Sequence, residues 1–287
     1  MYIAILADIH GNLPALEAVV RDVQQYDVSE FISAGDQVGG PCPVETVRLL
    51  RSLGAYMVRG NNENYALRLR SEQAPEAWRV NKQWAFARHA AYLLDQQTLD
   101  GIAALPEQRV VGFPEMDAIR VVHGSPRDHN ELLWPDRDPD QLAEVLALVK
   151  EPVMVYGHTH HPWVSRLDGK LALNPGSVGM PLNGDPRAQY ALLAWQGGQW
   201  VAEHRLVSYA LSRVHTVFQE SGLLDSGGPL ARAALLTIAT GVDVGQAFRR
   251  HAYRLARKAG YGGTGVVPDA IWDEAVATFD WDAVTVD

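Results

Sequence analysis

Residues 2–7 (YIAILA) are an unbroken apolar block that stops abruptly at Asp8. A short, wholly apolar block bounded by turn residues reads as a strand buried on both faces. The spacing then changes. Leu13, Leu16, Val19, Val20 and Val23 recur three and four apart, which is a helical period. Pro14 falls in the first turn of that helix, where a missing N–H costs nothing, and Asn12 precedes it as a cap. A second strand is expected at 30–34, a helix at 43–53 and a third strand at 55–58. Strand, helix, strand, helix, strand predicts a sheet with right-handed crossovers.

Residues 64–105 carry no strand signal and are rich in Leu, Ala, Gln and Arg, so two or more helices are expected there, hinged near Pro75. Strands follow at 109–112 and 118–122, a helix at 138–150 and a strand at 153–156. Residues 163–167 and 170–174 form a hairpin about Asp168-Gly169, and 190–194 with 200–206 a second one turning at Gly197-Gly198. Beyond 207 only helical patterns remain, at 208–220, 229–240, 243–259 and 268–279, separated by glycine-rich breaks. The chain therefore divides into a unit spanning 1–206, with a helical insertion at 64–105, and a helical C-terminal extension or subdomain at 207–287.

With 287 residues, 47% hydrophobic and 21% charged, the composition excludes a disordered, collagen-like or coiled-coil chain. The formal net charge of −9 argues against non-specific DNA binding and against an anionic membrane. It leaves room for a small cationic pocket, because a bound metal adds charge the count omits. Cys42 is the single cysteine, so no intramolecular disulfide is expected. The start of the chain lacks the basic residues and long apolar run of a secretory signal, and no stretch has the length of a membrane span. A cytoplasmic location is expected.

Polar clusters recur at the end of each predicted strand: Asp8-Ile9-His10-Gly11-Asn12, Gly35-Asp36, Gly60-Asn61-Asn62-Glu63, His123-Gly124 and Gly157-His158-Thr159-His160. In α/β sheets the carboxyl ends of the strands gather along one edge, so residues distant in sequence converge there. Asp and His with one Asn form a mixed oxygen and imidazole ligand set, which suits Mn, Fe, Zn, Ni or Co better than Ca. About seven such ligands over-supply one metal and serve two. Taken singly, each cluster reads equally well as a turn, since Asp, Asn and Gly all favour turns.

In this order the set D-x-H-G-N, G-D, G-N-x-E, H-G and G-H-x-H resembles the calcineurin-like metallophosphoesterases, and within them the small bacterial and archaeal phosphodiesterases. The stretch Asn174-Pro175-Gly176-Ser177-Val178-Gly179 matches the same branch, and the resemblance covers about residues 1–206. It implies an α/β fold, a four-layer α-β-β-α sandwich of two mixed β-sheets, with a dinuclear metal site at the C-terminal edge of the strands. Two divalent transition metal ions (Mn, Fe, Ni or Zn, with Mn foremost in vitro) are implied as cofactors. Asp8, His10 and His160 are expected to hold the first ion, Asn61, His123 and His158 the second, and Asp36 to bridge both. Catalysis is then expected to depend on Asp36, Asn61, Asn62 and His123, with a hydroxide between the metals attacking phosphorus in line with the leaving oxygen.

One position departs from the family pattern. Many relatives carry a His after the Asn, which is thought to protonate the leaving group, whereas here Asn62 stands there and an amide is no general acid. Asn62 is expected to contact a phosphate oxygen instead, and His129 and His161 are candidates both for substrate contact and for the missing acid. Asn12 and Arg59 are further candidates for the phosphate, set against a helix cap and a surface arginine. The segment Gly35-Asp36-Gln37-Val38-Gly39-Gly40 lacks the second Asp and the Arg of G-D-x-x-D-R-G, which lowers a protein or dinucleoside-polyphosphate phosphatase to an alternative. The substrate class implied is a small phosphate ester, a nucleotide among the candidates, cleaved as a diester. The alternative from another class is a non-catalytic scaffold with the same fold.

Several other features have a plain reading. Trp78, Trp84, Phe86 and Tyr92 are expected to pack rather than line a substrate wall. His89, His204, His215 and His251 are expected to have no special role. The basic run from Arg249 to Lys258 is expected to be the wet face of a helix whose apolar stripe is Val244, Phe248, Leu255 and Ala259, with a nucleotide contact as the minor alternative. Residues 262–265 read as a linker. The C-terminal helices are candidates for a homo-oligomer contact or for a lid over the pocket.

Overall fold

The computed structural model describes residues 1–262 and 265–283. Its elements follow the hydrophobic pattern closely. β1 (Tyr2–Leu6), α1 (Leu13–Val23), β2 (Val28–Ser33), α2 (Pro43–Ser52) and β3 (Tyr56–Met57) come first. Asn12 caps α1, its side-chain oxygen accepting from the Ala15 N–H at 3.2 Å, with Pro14 in the first turn. The insertion supplies α3 (Asn61–Leu69), α4 (Glu76–Val80), α5 (Ala85–Tyr92) and α6 (Gln96–Ala103), and Pro75 starts α4. β4 (Arg109–Val111), β5 (Ile119–Val121), α7 (Pro139–Ala147) and β6 (Val153–Val155) follow. The two hairpins are β7 (Pro162–Leu167) with β8 (Lys170–Pro175), and β9 (Ala188–Gln196) with β10 (Gln199–Val207). The chain then runs through α8 (Leu211–Glu220), α9 (Leu223–Ser226), α10 (Pro229–Thr240), α11 (Val244–Lys258) and α12 (Asp269–Thr278).

Among the described residues the strands form two mixed sheets of five, in the orders β10-β9-β1-β2-β3 and β4-β5-β6-β8-β7. β1, β2 and β3 run parallel, as do β5, β6 and β8. The alternation of side chains along a strand decides the layering. Ile3 and Ile5 of β1 face the second sheet, packing with Ile32, Val121, Val155 and Leu173, while Ala4 and Leu6 point the other way onto Leu16 and Val19 of α1. On the far side, Met154 and Ala172 meet Leu142, Val145 and Leu146 of α7. Helix, sheet, sheet and helix therefore stack in four layers. Strands buried on both faces explain why β1 and β6 read as continuous apolar runs.

The insertion and the C-terminal helices pack on this frame in sequence. Val44 and Val47 of α2 share a core with Ala66, Leu69, Ala91 and Ile102 of the insertion. Ala90 of α5 in turn packs with Phe218 of α8 and Ala231 and Ile238 of α10. Phe248, Ala252 and Ala256 of α11 close on Trp272 and Ala275 of α12, with Phe86 of the insertion against the same cluster.

Three expectations need correction. α3 begins at Asn61 rather than 64, so the Gly60 motif is itself a helix start. The buried stripe of α11 is Val244, Phe248, Ala252 and Ala256, a strict four-residue spacing, and Ala259 is exposed. The short α9 had no signal in the pattern. Of the linker expected at 262–265, residues 263 and 264 lie outside the described residues. No helix among the described residues is long and apolar enough to cross a membrane.

Candidate metal centre

The polar clusters meet where the two sheets present their strand ends to each other. Asp8 follows β1, Asp36 follows β2 and Asn61 follows β3 in one sheet; His123 follows β5 and His158 and His160 follow β6 in the other. The backbone at this meeting point is unusual. Asp8, His10, Asp36, His158 and His160 all have φ between +50° and +68°, and they are five of the seven non-glycine residues with positive φ among those described. Each such residue costs about 1–3 kcal/mol, and strain of this kind persists where a site requires it. Gly60 permits a close approach to Asp36. A side chain there would collide with the Asp36 carboxylate and stand 2.6 Å from its backbone nitrogen.

Hydrogen bonds from one edge of each imidazole fix which nitrogen faces inward. His123 Nδ1 donates to the Ala34 carbonyl at 2.8 Å and His160 Nδ1 to the Met180 carbonyl at 2.6 Å. Since a carbonyl only accepts, Nδ1 carries the proton of each neutral ring and Nε2 its lone pair. The His123 Nε2 lone pair stands 2.9 Å from Asn61 Oδ1 and 3.5 Å from Asp36 Oδ1. The His160 Nε2 lone pair stands 3.2 Å from His10 Nε2 and 3.5 Å from Asp8 Oδ1, while His10 Nε2 is 3.7 Å from Asp36 Oδ2. Acceptors converging on acceptors form a set that cations satisfy. Two groups have the spacing for it, Asp8 with His10 and His160, and Asp8 with Asp36 and His123. His158 stands beside them, its ring 4.9 Å from that of His123 and its Nε2 donating to the Asn130 carbonyl at 3.2 Å.

Burial is the largest influence on every titrating side chain of the cluster that shifts. Burial, then the neighbouring Asp36, pushes Asp8 well above the usual carboxylate range. Burial acts the same way on Asp36, but the His123 and His10 imidazoles and the Asn62 N–H overcome it and hold that carboxyl at about 2. Burial depresses His10 and carries His160 well below its ordinary value, and burial with the nearby His123 brings His158 down to about 4. Neutral imidazole is the ligating form of His, and a cation beside Asp8 would draw that carboxyl back to its ionised, ligating form. The residues present therefore fit a pair of divalent cations.

A second ring of contacts holds these side chains, made by residues that the motifs contain. Glu63, fully buried, accepts from the N–H groups of Gly60 at 2.7 Å and of Asp36 and Val38 at 2.9 Å each, tying two loops together. Its position three residues after the helix start was the available signal. Burial and the nearby Asp36 outweigh those donors and raise its carboxyl to about 7. Asn62 donates to both Asp36 oxygens, from its backbone N–H at 2.8 Å and its side-chain amide at 2.5 Å. In the 174–179 stretch, Ser177 donates to the Asp8 carbonyl at 2.7 Å, and Asn174 donates to the Gly157 carbonyl and Thr159.

The remaining sequence candidates lie elsewhere. Asn12 is wholly buried and donates to the Gly179 carbonyl at 2.8 Å besides capping α1. Arg59 pairs with Glu107 at 3.5 Å. His129 sits in the loop beside Asn130, and His161 packs edge-on against Trp134 with ring centroids 5.0 Å apart. A cleft of about 410 Å³ opens directly on His10, Asn61 and Asn62, and none of those four residues lines it. Tyr65, Trp84 and Phe86 of the insertion do, facing Arg249, Tyr253 and Trp272 of the C-terminal helices. Trp84 and Phe86 thus form the wall they were not expected to form.

Residues 1–198 match the model of the calcineurin-like phosphoesterase superfamily domain. The chain is 28% identical over 194 residues to the phosphodiesterase YfcE of Escherichia coli K12, covering 67% of this chain and 87% of the relative. It is 30% identical over 210 residues to an uncharacterized protein of Methanocaldococcus jannaschii, covering 66% of this chain and 81% of that protein. Among solved structures, a metallophosphoesterase from Sphaerobacter thermophilus superimposes with a TM-score of 0.68 at 30% identity, covering 84% of this chain and 99% of that one.

Proposed function

This chain belongs to the calcineurin-like phosphoesterase superfamily, and we propose that within it the protein is a metal-dependent phosphodiesterase acting on a small ester. The observation that carries this reading is the convergence of the His123 and His160 lone pairs, Asn61 Oδ1 and the Asp8 and Asp36 carboxylates on one edge of the sandwich. Asp8, His10, His160, Asp36, His123, Asn61 and His158 are the residues that would hold two divalent ions. Bound there, such ions supply a nucleophile at neutral pH and positive charge against the phosphoryl oxygens.

The chain's own residues do the rest. Ala34 and Met180 lock the two imidazole tautomers through their carbonyls, and Asn62 holds both Asp36 oxygens in place. Two observations support a diester. The Escherichia coli relative YfcE is a phosphodiesterase. The cleft beside the cluster also leaves room for a second substituent on phosphorus. For the leaving group, Tyr65 takes the place that Asn62 leaves. It lies one helical turn beyond Asn61 on α3, on the same face, and lines the cleft. Burial, then Asp36, raises its pKa above the ordinary tyrosine value, so the hydroxyl keeps its proton at neutral pH.

Hydrolysis of bis-p-nitrophenyl phosphate against p-nitrophenyl phosphate, with Mn, Ni, Fe or Zn added to stripped protein, tests the proposal. Metal-dependent cleavage of the diester, lost in Asp36→Ala, is the expected result. Cleavage of the monoester alone would make the protein a phosphatase, and cleavage of neither would leave a scaffold with this fold.

A further inference from the structure

We propose that α11 selects the substrate, Arg249 taking a second negative charge and Tyr253 with Trp84 taking a flat ring, so that the ester is of nucleotide type. The inference rests on a phosphoryl group being held at the Asp–His cluster. It goes beyond that reading by naming what the rest of the substrate must look like.

α11 has three faces, and each meets something different. Phe248, Ala252 and Ala256 are buried in the helical core. Arg250, Arg254 and Arg257 line a shallow groove on the outside, away from the cluster. Arg249 and Tyr253, four residues apart and so side by side on the helix, line the cleft whose other end is His10 and Asn62. The wet face expected of the basic run thus holds for all of its arginines, and Arg249 alone among them also lines this cleft.

Arg249 is free to bind. It makes no ion pair or hydrogen bond among the described residues, whereas Arg120, Arg127, Arg187 and Arg213 are each paired to a carboxylate. Its charge also reaches toward the cluster. It draws down the Tyr65 hydroxyl, which burial and Asp36 push up, so one hydroxyl feels both the Asp36 carboxylate and this guanidinium. A cation with no internal partner, in a cleft whose other end is His10, Asn61 and Asn62, is suited to an anionic oxygen of the ligand.

The ring site is built from rigid aromatics. Trp84 is stacked on Trp78, with centroids 4.3 Å apart and planes at 24°, and Tyr65 braces both edge-on. Tyr253 lines the same cleft with 38% of its surface exposed. Such faces bind any nucleobase, because every base has a π-face. Arg249 and Tyr253 lie beyond residue 198, where the family match ends, and Trp84 lies within it, so the C-terminal helices supply the charge selection and share the ring site with the insertion.

Calorimetric titration of the manganese-loaded protein with thymidine 3′,5′-bisphosphate and thymidine 5′-monophosphate tests the charge. The expected result is about a tenfold preference for the bisphosphate, which falls to near one in Arg249→Ala and is partly kept in Arg249→Lys. No preference in the native protein, or an undiminished one in Arg249→Ala, would overturn it. Trp84→Leu, with its fold checked by circular dichroism, is expected to lower the preference for thymidine 5′-monophosphate over inorganic phosphate about tenfold; an unchanged ratio would remove the ring from the proposal. The readout is binding, so it reports on the cleft whether or not the bound ester is then cleaved. Failure of the diesterase reading and failure of this inference are separate results.

Discussion

Asn62 commits its backbone N–H and its side-chain amide to one carboxylate, which gives it a job quite different from that of the acid its position suggests. Residues that orient a metal ligand typically change affinity or activity by about 10–100-fold when removed. Asn62→Ala is therefore expected to weaken metal binding by about that factor, measured by titration against a competing chelator. Tyr65→Phe is expected to slow an alkyl diester by about a hundredfold and a nitrophenyl diester far less, because only the former needs a proton on its leaving oxygen. An equal fall on both would move the proton donor elsewhere. The candidate ligands themselves were legible in the sequence because Asp, His and Asn were tied to strand ends. The left-handed backbone at five of them and the triple acceptance by Glu63 were not, since both arise only when two loops are brought together. Cys42 shows the same limit. Burial first, then Glu45 and Glu220, pushes its thiol from 9.0 to about 12. Only the thiolate reacts, and its greater nucleophilicity offsets part of the lost thiolate, so at pH 8 a disulfide reagent is expected to label the native chain about fiftyfold more slowly than the urea-unfolded one.

At the scale of elements, periodicity predicted nearly every strand and helix, and the exceptions have physical reasons. α3 was placed three residues late because its first turn consists of Asn61, Asn62 and Glu63, polar residues serving the site instead of displaying an apolar face. On α11 the expected stripe drifted away from the real one because two alanines, Ala252 and Ala256, carry burial that larger residues would have advertised. The corrected register makes a clear prediction. Phe248, buried against Trp272, Phe279 and Trp281, is expected to cost about 3–5 kcal/mol on change to Ala. Arg250→Ala, on the outer face, is expected to stay within about 0.5 kcal/mol. Urea unfolding of the two variants checks both, and comparable losses would put the helix in another register.

For the whole molecule, the sequence showed that strands and helices alternate but not how the insertion and the C-terminal helices face each other across the cluster. That arrangement depends on contacts such as Ala90 with Phe218 and Phe86 with the α11–α12 core, between segments more than a hundred residues apart. The same remoteness applies at the seam of the sandwich, where one sheet contributes Asp8, Asp36 and Asn61 and the other His123, His158 and His160. An ion bound across that seam is a rivet between two plates, and it holds only when both plates are in their native positions. Loading and folding then become one equilibrium, and free metal at about a hundred times its dissociation constant adds about 2.7 kcal/mol to the stability of the entire chain. Chelation is expected to lower the melting temperature by several degrees, and saturating manganese to restore it. In a cell, the supply of a trace element would then set the lifetime of this protein as well as its readiness to act.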